Sequence, residues 1–295
     1  MVSKCREGAF STGAAALISP RDGLAHARDT MMPAGKSDMS ERSPADGRRA
    51  PARITTMLHA GRGRHTPGLV APPLERASTI LAPDVATYET EHPYGTQGTA
   101  AAHALAEALL SIEGGDACLL YPSGLAAIAG TLMALTRSGD HVLITDAVYY
   151  PTRRLLNELL AGYGVRVTWF DPRAPVEEVT GLFTPATTVL FLESPGSDSM
   201  EVLDVPALAA AARERGVVTV IDNTWSAGWL FDPFAAGVDV SIQALTKYQN
   251  GHSDVLAGAV LCTAALAPRL RAVHRMLGQL SPPDDAWLVL RGLRS

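Results

Sequence analysis

Val217-Val-Thr-Val-Ile-Asp222-Asn-Thr-Trp225, followed downstream by Ser241-Ile-Gln-Ala-Leu-Thr-Lys247-Tyr-Gln-Asn-Gly-His-Ser-Asp254, decides how this chain is read. The first stretch is an apolar, β-branched run that ends in a carboxylate. The second begins with another short apolar run and delivers a single lysine into a polar, glycine-containing turn. Apolar runs of four to six residues with no polar alternation are expected of strands buried on both faces, which is the habit of parallel sheets.

The same pattern extends outward from this pair. Ala100–Glu113 repeats apolar residues at helical spacing and stops at Gly114-Gly115, Ala117–Tyr121 is a predicted strand, and Gly124–Thr136 a helix. Strands are expected at His141–Thr145, Val165–Phe170, Thr188–Leu192, Val217–Ile221 and Val238–Ile242, separated by helices at Thr152–Leu160, Pro175–Phe183 and Pro206–Arg215. Alternation of this kind implies right-handed crossovers and an α/β fold: a mainly parallel sheet with helices on both faces. Functional residues then belong just past the carboxyl ends of strands. Tyr121-Pro-Ser-Gly, Thr145-Asp, Glu193-Ser-Pro and Asp222-Asn-Thr-Trp all occupy such places.

Composition narrows the classes of function. The 295 residues are 47% hydrophobic and 19% charged with a net charge of −5, so nothing electrostatic points to nucleic acid or an anionic membrane surface as a partner. No apolar run approaches the roughly 20 residues that cross a bilayer. Cys5, Cys118 and Cys262 are widely spaced and show no metal-ligand spacing, which fits a reducing, cytoplasmic setting. Residues 1–53 lack periodicity and are rich in Ser, Gly, Ala, Arg and Asp; they are expected to be disordered, or an extension from a start codon placed too early. The segment Ala286–Ser295 looks like the beginning of another element, without a C-cap glycine, a proline or a polar tail.

The candidate chemistry rests on a few side chains. Lys247 is either a surface lysine or an amine held for covalent catalysis, and its small, hydroxylated, glycine-containing neighbours favour the second. Asp222 is either a turn carboxylate or the anion that keeps a heteroaromatic nitrogen protonated. A strand-end acid and a lone lysine are what pyridoxal phosphate requires, one for its ring nitrogen and one for its aldehyde. Ser123-Gly124-Leu125 opens a helix and can present N–H groups and a hydroxyl to a phosphate, although the same dipeptide often serves only as a cap. Thr246 offers a second hydroxyl, and Tyr149 either stacks on the cofactor ring or fills the core. His252 lacks companion ligands, so a metal site is not expected there.

Thr246-Lys-Tyr-(x)2-Gly-His-Ser-Asp254 resembles the lysine signature of the Cys/Met-metabolism family of pyridoxal-phosphate enzymes, and the resemblance runs from about Arg53 to Ser295. Glu193-Ser-Pro-Gly-Ser-Asp-Ser-Met-Glu-Val202 and Asp222-Asn-Thr-Trp-Ser-Ala-Gly228 are similar to its cystathionine β-lyase branch; the γ-acting branch more often carries Phe at the position of Trp225. The resemblance implies a fold-type I, aminotransferase-like large domain at 99–295. It also implies an N-terminal arm at 54–98, marked by Leu58-His-Ala-Gly61, Pro72–Thr79 and the Tyr94-Gly-Thr-Gln-Gly-Thr99 loop. By the same resemblance Tyr94 crosses to the phosphate of a neighbouring subunit's cofactor, so that a homodimer or homotetramer is needed for catalysis. The expected reaction is cleavage of a small-molecule amino acid, L-cystathionine, to homocysteine, pyruvate and ammonia. A γ-acting activity, or an inactive truncated remnant, is the alternative. Two departures stand out. Thr96 replaces the arginine that commonly follows the Tyr-Gly pair, and the C-terminal small domain, whose arginine clamps the substrate carboxylate in the family, is absent from the sequence.

Overall fold

The computed structural model describes residues 52–62, 68–91 and 93–295. The expected disorder of residues 1–53 therefore falls almost wholly outside the described residues. Residues 83–91 belong to a small separate unit containing α2 (Val85–Glu91), opened by the Asp84 carboxylate, which accepts the Thr87 N–H at 2.7 Å.

The main unit is built on a seven-stranded sheet. Its strands are β1 (Ala117–Tyr121), β2 (His141–Thr145), β3 (Arg166–Phe170), β4 (Thr187–Glu193), β5 (Val218–Asp222), β6 (Val240–Gln243) and β7 (Gly258–Cys262), in the order β1-β7-β6-β5-β4-β2-β3. From β6 to β3 every pairing is parallel. β7 runs antiparallel to both its neighbours, β1 and β6. This makes the sheet mixed rather than uniformly parallel, and β7 was not among the strands expected from the sequence.

Alternate side chains divide the core in two, as the two-residue period of a strand requires. Tyr121, Ile144, Phe191, Val220, Ile242 and Val260 face one side, where they meet α4 (Gly124–Leu135) and α8 (Ala267–Met276). On the other side Leu120, Ala259 and Leu261 meet α3 (Ala100–Glu113) and α9 (Pro283–Leu293), while Leu143, Leu190, Leu192 and Ile221 meet α6 (Val176–Gly181) and α7 (Val205–Glu214). Burial on both faces explains why the strands carry no polar alternation. The helix expected over Thr152–Leu160 differs in kind: α5 (Tyr150–Arg154) widens into a π-helical turn at Leu155–Leu160. Leu156 and Leu160 still reach the core, so the wider turn keeps the apolar stripe in place.

Ahead of α3, the helix α1 (Arg53–His59) packs on α3, with the Gly61 N–H donated to Glu107. The segment around residues 72–76 is tied to α9 by the Arg76–Asp284 ion pair and by the Trp287 indole, which donates to the Pro72 carbonyl at 3.0 Å. What looked in the sequence like the start of another element after Ala286 is the body of α9, whose Ala286, Val289 and Leu290 are buried.

Candidate active site

The carboxyl ends of β4, β5 and β6 lie side by side, and the chemistry-bearing residues collect there. Asp222 closes β5 and is 7% exposed. Its Oδ1 accepts both the backbone N–H (3.1 Å) and the hydroxyl (2.6 Å) of Thr224. The Thr224 hydroxyl in turn accepts the Ala244 N–H at 2.8 Å, and the Ala244 carbonyl accepts the Lys247 N–H at 3.0 Å. A continuous relay of hydrogen bonds thus joins the strand-end acid to the turn that carries the lysine. The Lys247 side chain itself is exposed to solvent.

Burial pushes the Asp222 carboxyl above the ordinary aspartate range, against the two Thr224 donors, which pull it down. Glu193, the last residue of β4, sits directly opposite Asp222 in the strand register. Its carboxyl is pushed up to about 8, first by burial and then by the charge of Asp222. Among the described residues neither acid forms an ion pair. A buried carboxyl pair of this kind keeps a proton on one member near neutral pH and leaves the other as the anion.

The remaining expected residues are distributed as follows. Ser123 caps α4, its Oγ accepting the Ala126 N–H at 3.1 Å, which leaves the hydroxyl proton free to donate. Gly124 lies against Ala244, so closely that a Cβ there would stand 2.7 Å from the Ala244 Cβ, and Leu125 is half-exposed beside it. The turn that would receive a phosphate is therefore packed directly against the Lys247 turn. Thr246 is differently engaged than expected: its hydroxyl both donates to the Ala257 carbonyl (3.2 Å) and accepts the Ala257 N–H (3.1 Å), latching the lysine turn to the chain entering β7. Tyr149 precedes α5 with its ring exposed, and its N–H donates to Glu193 Oε2 at 2.8 Å. Tyr94 is also exposed and is placed by an isolated bridge to Thr79; it takes no part in the relay.

The sequence places Glu193 at a strand end but assigns it no role. Its carboxyl gathers the Tyr149 N–H and the Ser197 hydroxyl, and so holds two loops against the end of β4. Its signal was the one that revealed Asp222, a carboxylate closing an apolar strand. Beside these acids an apolar groove of about 390 Å³ is lined by Pro195, Met200, Val202, Trp225, Leu230 and Phe231. Trp225 donates its indole N–H to the Met200 sulfur at 3.1 Å and stacks on Tyr248, the neighbour of Lys247.

An α/β sheet whose strand ends present a buried acid, a tethered lysine turn and a capped helix start defines a class of enzyme that holds an anionic, lysine-linked cofactor. Residues 54–295 match the family described as Cys/Met metabolism PLP-dependent enzymes, and the chain belongs to that family, which depends on pyridoxal phosphate. It is 42% identical over 230 residues to a putative cystathionine beta-lyase of Saccharomyces cerevisiae, covering 77% of this chain and 67% of that protein. It is 40% identical over 252 residues to cystathionine beta-lyase of Escherichia coli, covering 82% and 64%. In structure it resembles cystathionine gamma-lyase from Lactobacillus plantarum complexed with L-serine, with a TM-score of 0.78 at 28% identity, covering 83% of this chain and 64% of that one. The chain thus spans about two thirds of the length of these relatives.

Proposed function

We propose that this chain is the cofactor-binding portion of a carbon–sulfur β-lyase that cleaves L-cystathionine to homocysteine, pyruvate and ammonia. The relay from Asp222 through Thr224 and Ala244 to the Lys247 backbone is the observation that carries the reading, because it fixes the strand-end acid relative to the turn that carries the lysine. The residues present fit pyridoxal phosphate: an acid that is buried and has no ion-pair partner among the described residues, a lysine in a braced turn, and a helix start with a hydroxyl free to donate.

When bound, pyridoxal phosphate supplies an aldehyde for the substrate amine and an electron-withdrawing ring that stabilises charge at Cα. Lys247 would hold the cofactor through its Nζ, and the same Nζ, when free, would take the Cα proton and give a proton to the departing sulfur. The Asp222 carboxylate pairs with the ring nitrogen and keeps it protonated. Ser123 Oγ and the N–H groups of Gly124 and Leu125 receive the phosphate, with Thr246 holding the lysine turn in place. Tyr149 would stack on the ring. Tyr94 reaches the phosphate of a neighbouring subunit, in keeping with a homodimeric or homotetrameric cytoplasmic enzyme.

The likeness to a γ-lyase structure supports a second reading, γ-elimination by the same residues. The two are separated by product. Incubation of the protein with L-cystathionine and pyridoxal phosphate, with the keto acids resolved by chromatography, should give pyruvate. 2-Oxobutyrate in its place establishes γ-chemistry, and neither product, with cofactor bound, identifies a binding remnant.

A further inference from the structure

A carboxylate remote in sequence from both turns of the site is buried among polar side chains. Glu113, the last residue of α3, is 2% exposed, and three groups donate to it: Asn223 Nδ2 at 2.7 Å, Ser241 Oγ at 2.5 Å and Gln243 Nε2 at 2.8 Å. Gln243 also donates to the Asn223 carbonyl at 3.1 Å and accepts from Gln249 Nε2 at 2.9 Å. Asn223, Ser241 and Gln243 are fully buried, and Gln249 is 2% exposed. Asn223 immediately follows Asp222, and Gln249 lies in the turn of Lys247. One acid therefore connects α3 to both of the turns that the functional reading assigns to the cofactor.

We propose that Glu113 is a positioning residue, which holds the Asp222 turn and the Lys247 turn in one register from the last turn of α3. The proposal rests on the reading of Asp222 and Lys247 given above. The side chain is required as a carboxylate because its partners cannot turn round. Asn223 Oδ1 accepts the Ser226 hydroxyl at 2.7 Å, which fixes Nδ2 toward Glu113. Gln243 Oε1 is committed to Gln249, which fixes Nε2 in the same way. An amide at position 113 sets an N–H against one of these N–H groups. Burial pushes the Glu113 carboxyl above the ordinary glutamate range, while Asn223, Ser241 and Gln243, and the more distant Arg53 charge, oppose it. Gly228 closes the far side, its missing Cβ leaving room for Glu113.

The test uses the full chain, with and without pyridoxal phosphate. In Glu113→Gln, amide hydrogen exchange of the cofactor-free protein should rise about tenfold or more in the peptides spanning 222–228 and 244–251, the loss of one hydrogen bond to a charged group. Peptides of β2 and β3 should keep the parent rate. Affinity for pyridoxal phosphate, followed by its absorbance, should fall by about the same factor. Gln249→Ala cuts only the branch to the lysine turn, and should loosen 244–251 while sparing 222–228; it decides the matter if Glu113→Gln does not fold. An even rise over the whole sheet, or unchanged exchange in both turns, overturns the proposal. A parent chain that takes up no pyridoxal phosphate defeats the functional reading instead, and the exchange pattern still judges Glu113.

Discussion

Glu193 and Asp222 are the terminal register pair of two adjacent parallel strands, two acids closing neighbouring strands on the same edge of the sheet. Burial raises both carboxyls, and that of Glu193 reaches about 8 from an ordinary 4.5. A carboxyl whose folded value lies above its unfolded one binds more protons when folded, so stability falls as pH rises between the two values. For Glu193 that window runs from about 4.5 to about 8 and is worth on the order of a few kcal/mol. The cofactor-free protein should therefore melt at progressively lower temperature across it. Glu193→Gln can present its carbonyl to the Tyr149 N–H and its amide to the Ser197 oxygen, and should flatten the dependence. Calorimetric scans at a series of pH values that give parallel curves for parent and variant would refute the pairing.

Lys247 is one of only three lysines, with Lys4 and Lys36 the others. Reduction of the cofactor-loaded protein with borohydride, followed by peptide mapping, should place the pyridoxyl group on the peptide containing Thr246-Lys247-Tyr248. Label confined to the amino-terminal lysines would remove Lys247 from the mechanism.

Asp222→Asn isolates the charge of the acid from its structural part. The amide oxygen can still accept from Thr224, so the relay to Ala244 should survive. What is lost is the anion beside the ring nitrogen, an interaction worth several kcal/mol at an effective dielectric of about 20. Turnover should fall at least about a hundredfold, one factor of ten for each 1.4 kcal/mol. Near-normal turnover in a loaded variant would show that the ring nitrogen does not depend on this acid.

The parallel half of the sheet and its strand-end residues were legible because doubly buried strands have no choice but to be apolar, and because Asp222 interrupts that rule abruptly. β7 was not legible. Its apolar residues continue from Val255 without a turn signal, and its antiparallel partner β1 lies more than a hundred residues earlier in the chain, a pairing that local periodicity does not encode. The π-helical turn at Leu155–Leu160 escaped for a related reason, since leucines at this spacing satisfy an α-helix equally well. Glu113 reads in isolation as a polar residue ending a helix before Gly114-Gly115. Only the return of β5 and β6 beneath it, bringing Asn223, Ser241 and Gln243, makes it a buried acid.

Gly258 provides a test of how the helix start that would receive the phosphate is held. It opens β7, and a Cβ at this position would lie 2.3 Å from the Ser123 carbonyl oxygen and 2.9 Å from the Gly124 nitrogen. Both contacts are backbone, so no side chain can swing aside. Either β7 shifts within the sheet, where it is hydrogen-bonded to β1 and β6, or the Ser123–Gly124 turn moves outward. The second is the softer route, because the turn is held mainly by the Ser123 cap while the strand is held on both sides. Gly258→Ala should accordingly cost about 1–3 kcal/mol of stability, the usual range for overpacking. It should weaken pyridoxal-phosphate affinity more than Ser123→Ala does, since it displaces the N–H groups as well as the hydroxyl. Equilibrium dialysis of the two variants against the cofactor checks the order. An alanine variant at 258 that binds as tightly as the parent would mean that the N–H groups of Gly124 and Leu125 do not hold the phosphate.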